Sequence, residues 1–143
     1  MKELTVAMLM WISGHSPLAY DGSHVPDVIS VPQGTLVQIF YQGNVPRGPD
    51  INNISVAGVY NPRDGTIYLL DDVDLTTIEG RAVLVHELVH YLQYRHGFDK
   101  AVSCVRKLEP TAYAAQAEYL AQHGRAPAFN DIHILLVSTC WRM

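Results

Sequence analysis

Basic residues are few and scattered. No run of Lys or Arg exceeds two, and the 10 of them are outnumbered by 14 Asp and Glu, for a net charge of −4. A nucleic-acid backbone would find no cationic stripe to bind, so no nucleic-acid partner is expected. Long apolar runs are missing too. The N-terminal stretch Leu4 to Ile12 is about half the roughly 20 residues that a helical membrane span requires, which argues against a stable membrane span. Cysteine is scarce, and Cys104 and Cys140 allow one disulfide or two buried thiols. Loop closure by a disulfide would add about 4 kcal/mol at most. The disordered class is excluded by composition, because 48% of residues are hydrophobic, enough for an ordinary packed core. A chain of 143 residues is expected to form a single domain spanning 1–143 that buries roughly two thirds of the surface its unfolded form exposes.

The first segment has two readings. Lys2 followed by Leu4 to Ile12 matches the charged and apolar parts of a short signal peptide, although Glu3 intrudes and no clean A-x-A site follows. On a helical projection its apolar residues fall on all sides, which also suits a buried helix. After a polar stretch, Asp27 to Val31 reads as a strand. Pro32 opens a short helix through Phe40 with Gly43 past its end, and residues 43–53 read as a surface loop. The clearest β signal follows. Ile54 to Tyr60, the turn-forming Asn61 to Gly65, and Thr66 to Leu70 predict a hairpin. Asp71, Asp72 and Asp74 lack the glycine and terminal Glu of a calcium loop and read as a solvated connection.

Thr76 and Glu79 have capping-box spacing and predict the start of a helix that Gly97 stops. Between them Val83, Leu84, Val85, Leu88, Val89, Tyr91 and Leu92 cover most of the helix circumference, so this helix is expected to be enclosed by neighbours. Within it lies His86-Glu87-Leu88-Val89-His90, the pattern H-E-x-x-H. Positions four apart on a helix differ by about 40° in direction and about 6 Å in height, so both imidazoles can reach one zinc ion. Glu87 lies about 60° from His90 around the axis, beside the metal, where a base for a metal-bound water belongs. With 7 His and 5 Glu in the chain, the pattern would arise by chance in roughly one such sequence in a hundred.

Glu109-Pro110 opens another helix, closed by Gly124. Tyr113, Gln116 and Leu120 lie within about 40° of Glu109 on that helix, whereas Glu118 is about 180° away. Residues 128–140 carry a final apolar segment, helix or strand, expected to close the core. His15, His24, His123 and His133 read as surface or packing residues.

A catalytic zinc usually takes three protein ligands. Eighteen residues separate His90 from Glu109, and this H-E-x-x-H-x18-E arrangement resembles the gluzincin metallopeptidases, most closely the small single-domain bacterial zincins. The resemblance implies an α+β, zincin-like fold: a small mixed sheet with a β-hairpin packed on the central HExxH helix, and C-terminal helices. It also implies a Zn2+ held by His86, His90 and Glu109, with Glu87 as the general base. The expected activity is then zinc-dependent hydrolysis of peptide bonds in a peptide or protein substrate. Tyr113 is a candidate for assisting the carbonyl, and strand Thr66 to Leu70 for holding an extended peptide. The alternative is a non-catalytic zinc-binding module that keeps the ligands.

His96 competes as third ligand, because it follows His90 by six positions, as the third histidine does in metzincins. Gln93 stands where metzincins have a helix-breaking glycine. An unbroken helix would put His96 about 9 Å along and about 120° around from His90. Asp99 is a further acidic candidate.

Overall fold

The computed structural model describes residues 1–41 and 57–140. In chain order these form α1 (Lys2–His15), β1 (Val28–Val31), α2 (Gln33–Phe40), β2 (Gly58–Asn61), β3 (Thr66–Leu70), α3 (Ile78–Arg95), α4 (Glu109–Gln122) and α5 (Asp131–Ser138). Short 3-10 turns at Phe98–Lys100 and Val105–Leu108 join α3 to α4. The result is a small mixed α+β domain whose three strands run in the order β1-β3-β2. Residues 54–56 of the expected hairpin and the whole 43–53 loop fall outside the described residues.

The turn from β2 to β3 is built as its residues dictate. Asn61 accepts the Gly65 amide at 2.8 Å, and the Asp64 carboxylate accepts the Thr66 amide at 2.9 Å. β3 is the central strand, parallel to β1 with Val28 opposite Ile67 and antiparallel to β2 with Tyr60 opposite Ile67. A strand paired on both sides has no free edge, which corrects the expectation that Thr66 to Leu70 holds an extended peptide. Neighbours on both sides use its backbone groups, as suits a strand whose Ile67 and Leu69 are fully buried. Among the described residues β2 is the outer strand on that side, and it packs against α3.

α3 starts one residue later than its capping-box spacing suggests. Asp74 captures both the amide and the hydroxyl of Thr76, at 2.9 and 2.6 Å. Thr77 is therefore the cap, accepting the Gly80 amide at 3.0 Å and donating to the Asp74 carbonyl at 2.7 Å. Glu79 pairs instead with Arg125 across a 3.6 Å gap on the surface. The chain passes so close here that a Cβ on Gly80 would lie 1.9 Å from the Asp74 carbonyl oxygen. Gly80→Ala would gain about 1 kcal/mol of helix propensity. The clash is with backbone and cannot be relieved by a side-chain rotation, so a net loss of roughly 1–2 kcal/mol is expected in chemical denaturation.

As expected, α3 is enclosed: Leu84, Val85, Leu88, Val89, Tyr91 and Leu92 are buried together with Ala82, while Val83 is only partly so. α1, α4 and the sheet surround it, and Leu9, Ile12, Leu18, Ile67, Leu69, Ala112 and Leu120 complete the core. α1 contributes one face only. Thr5, Met8, Leu9 and Ile12 are buried while Met10 is exposed, so its apolar residues do not bury all round. The final segment is a helix that does not close the core. α5 buries only Ser138, and Ile132, Leu135 and Leu136 face solvent. It is held by the Asn130 cap on the His133 amide, by Arg106 donating to the Val137 carbonyl, and by a Cys104–Cys140 disulfide. The two cysteines are therefore paired. No helix among the described residues is long and apolar enough to cross a membrane.

Candidate metal centre

α3 and α4 run past each other in close contact, and the residues singled out in the sequence meet between them. Pro110 stands in the first turn of α4, where its missing N–H costs nothing. It leaves Glu109 at the very start of the helix, in helical backbone conformation. One oxygen of Glu109 lies 3.4 Å from His86 Nε2 and in direct hydrogen-bonding contact with His90 Nε2. Glu87 joins the group, since ligand atoms of His86, Glu87 and His90 all lie within 4.8 Å of one another. His86 and Glu87 are buried, and Glu109 is partly exposed.

The outer nitrogens of both imidazoles are already committed. His86 Nδ1 is 2.9 Å from Gln116 Oε1 and His90 Nδ1 is 2.8 Å from Gln93 Oε1. Amide oxygens only accept, so each Nδ1 carries a proton, and it is a further proton on His90 Nε2 that donates to Glu109. This donor set suits a zinc ion. Ligand atoms 2.0–2.1 Å from a shared tetrahedral ion stand roughly 3.3 Å apart; the His86 to Glu109 separation is close to this, whereas His90 Nε2 and the same Glu109 oxygen, in direct contact, would have to move apart to admit an ion. Gln116 lies on the expected face of α4, and Gln93 is one turn beyond His90. The sequence gives neither a role, because amides carry no metal-ligand signature of their own.

Burial opposes a charge on His90. The hydrogen bond and charge of Glu109, with the charge of Glu87, overcome it and raise His90 from 6.5 to about 9. Burial also works against the Glu109 carboxylate, but hydrogen bonds and charges from His86 and His90 hold it well below the usual range. Glu87 is pushed up by burial, with the two histidines and a hydrogen bond from the Tyr60 backbone pulling the other way. β2 approaches it closely. A Cβ on Gly58 would lie 3.1 Å from Glu87 Cγ and 2.9 Å from Leu69 Cδ2, so glycine leaves room for the carboxylate side chain.

The His90–Glu109 pair predicts a pH profile for the metal-free protein. His90 titrates higher folded than unfolded, so its contribution is full below 6.5 and is lost as pH rises through about 9. Glu109 has the opposite sense. Its contribution is present above 4.5 and is lost as pH falls through its lowered folded value. Thermal melts of chelator-treated protein should therefore show this pair's full contribution between 4.5 and 6.5. Glu109→Gln should flatten both limbs.

The other candidates lie elsewhere. His96 ends α3 with Nε2 2.8 Å from the Ala19 carbonyl, turned away from the cluster. Asp99 sits on the 3-10 turn beyond α3, where its charge reaches Tyr60 and Tyr94. Tyr113 sets its ring against His86 with centroids 4.5 Å apart, and its hydroxyl is 3.2 Å from His133 Nε2. Burial and the charges of Glu109 and Glu87 push that hydroxyl up to about 12, so it stays protonated. Glu118 faces away, lining a small apolar cleft of about 110 Å³ with Trp11, Ile12 and His15. His15 stacks on Trp11, His24 sits by Tyr91, and His123 is bonded to the Tyr119 carbonyl.

Fold and site together define a small mixed α+β domain with a buried His-Glu-His cluster on one helix, met by a glutamate from the next. The chain belongs to the DUF6647 family, a domain of unknown function, whose family model matches residues 1–143. Neither a curated protein nor a solved structure matches the chain.

Proposed function

We propose that this protein is a zinc-dependent peptide hydrolase of gluzincin type on a small zincin-like fold. The observation that carries this reading is the convergence of His86 Nε2, His90 Nε2 and a Glu109 oxygen beside Glu87. His86, His90 and Glu109 would hold the ion. When bound, zinc polarises a scissile carbonyl and lowers the pKa of a water toward about 7.

The remaining chemistry belongs to the chain. Glu87 accepts the proton of the attacking water and delivers it to the leaving amine, a task served by a carboxyl raised above its ordinary value. Tyr113 holds the His86 ring from the α4 side, with its hydroxyl engaged by His133. β2, not β3, is the strand beside Glu87. The Leu70 amide bonds the Ala57 carbonyl, and antiparallel alternation then points the backbone groups of Gly58 and Tyr60 away from β3. An extended peptide laid along that side, which no other described strand occupies, would pass the carboxylate at Gly58, the Tyr60 amide being already given to Glu87.

The test is a peptide-library digestion by chelator-stripped protein, with and without added zinc, alongside elemental analysis. Stoichiometric zinc with zinc-dependent cleavage is expected. Stoichiometric zinc without cleavage would replace this reading with the non-catalytic zinc module. Absence of stoichiometric zinc would remove the metal site itself.

A further inference from the structure

Gln93 is almost completely buried, at 1% exposure, in the last turn of α3. A buried primary amide must place two donors and an acceptor, and one in a core has to have partners for them. Its Nε2 lies 3.0 Å from the Leu108 carbonyl oxygen, and its Oε1 lies 2.8 Å from His90 Nδ1. The carbonyl can only accept, so it fixes which end of the amide is which. The amide oxygen then faces His90 and obliges Nδ1 to carry its proton. Leu108 immediately precedes Glu109.

The geometry points to Gln93 as the residue that ties two metal ligands on different helices into one arrangement. Its oxygen directs His90 Nε2 inward, and its N–H₂ anchors the backbone that delivers Glu109. Gln93 touches neither substrate nor metal and is a positioning residue; its role rests on the metal site proposed above. The alternative, that it fills space between α3 and the turn before α4, predicts a loss of stability only.

Two substitutions separate these. Gln93→Met keeps approximate volume and removes both hydrogen bonds. Gln93→Glu keeps an acceptor for His90 and loses the donor to Leu108. Zinc affinity would be measured by competition with a chromophoric chelator, and ligand geometry by the visible spectrum of the Co2+-loaded protein. The parent is expected to bind tightly, Gln93→Met to bind 10–100-fold more weakly with an altered Co2+ spectrum, and Gln93→Glu to fall between them. If the parent binds zinc and both variants keep its affinity and Co2+ spectrum, the role of Gln93 is overturned and the metal site stands, even if their melting temperatures fall. If the parent binds no zinc, the metal site falls and Gln93's role with it. Should circular dichroism show that Gln93→Met does not fold, Gln93→Glu decides: weaker binding with a changed spectrum supports the role, and parental behaviour overturns it.

Discussion

Glu87→Gln is expected to bind zinc as tightly as the parent and to lose peptide hydrolysis by about 10²- to 10⁴-fold, the usual worth of a general base. The amide keeps the shape of the side chain under Gly58, where a Cβ would lie only 3.1 Å from Glu87 Cγ. It also removes a buried carboxyl that burial has already pushed up, so the fold should not suffer. Only proton transfer is lost. The comparison requires parent and variant at equal zinc occupancy, with single-turnover rates on a peptide the parent cleaves. A Glu87→Gln protein that cleaves at the parental rate would sink the assignment of Glu87 as base.

Glu109→Gln should have its largest effect on metal affinity. A four-ligand structural zinc site is worth roughly 10–16 kcal/mol at neutral pH, so one ligand carries on the order of 3 kcal/mol, about a hundredfold in affinity or more. The substituted amide also removes the charge that raises His90 to about 9. His90 then loses its proton more readily, which favours metal binding and offsets part of the loss at neutral pH. Above pH 9 that offset disappears, so the affinity gap between parent and variant should widen with pH. A variant that holds zinc like the parent would exclude Glu109 as the third ligand.

Much of this architecture could be read from residues. α3 announces itself through apolar positions on every side and Gly97 beyond its end, and α4 through Glu109-Pro110 at one end and Gly124 at the other. Those are local signals, and the approach of Glu109 to His86 and His90 follows once both helices exist and pack together. Other features depend on competition or on distance. The cap falls on Thr77 because Asp74 takes the hydroxyl of Thr76, a contest between neighbours that spacing alone does not decide. The central place of β3 depends on its pairing with β1, and the intervening chain gives no sign of that order. The apolar run in α5 reads as core, but apolarity does not reveal whether the core has room for it. Gln93 and Gln116 become legible only when their partners, far off in sequence, are in place.

The covalent link at Cys104–Cys140 gives the domain two levels of stability. α5 buries almost nothing, so what opposes its separation from the body is mainly the disulfide and the hydrogen bonds of Arg106 to the Val137 carbonyl and of Tyr113 with His133. His86, His90 and Glu109 are anchored instead from the buried interface of α3 and α4. Local opening of α5 would therefore strip His133 from the hydroxyl of Tyr113 while leaving the floor of the site standing. Amide exchange should divide the protein along that seam, fast in the α5 rim and slow beneath the imidazoles, with the disulfide limiting how far the rim can travel.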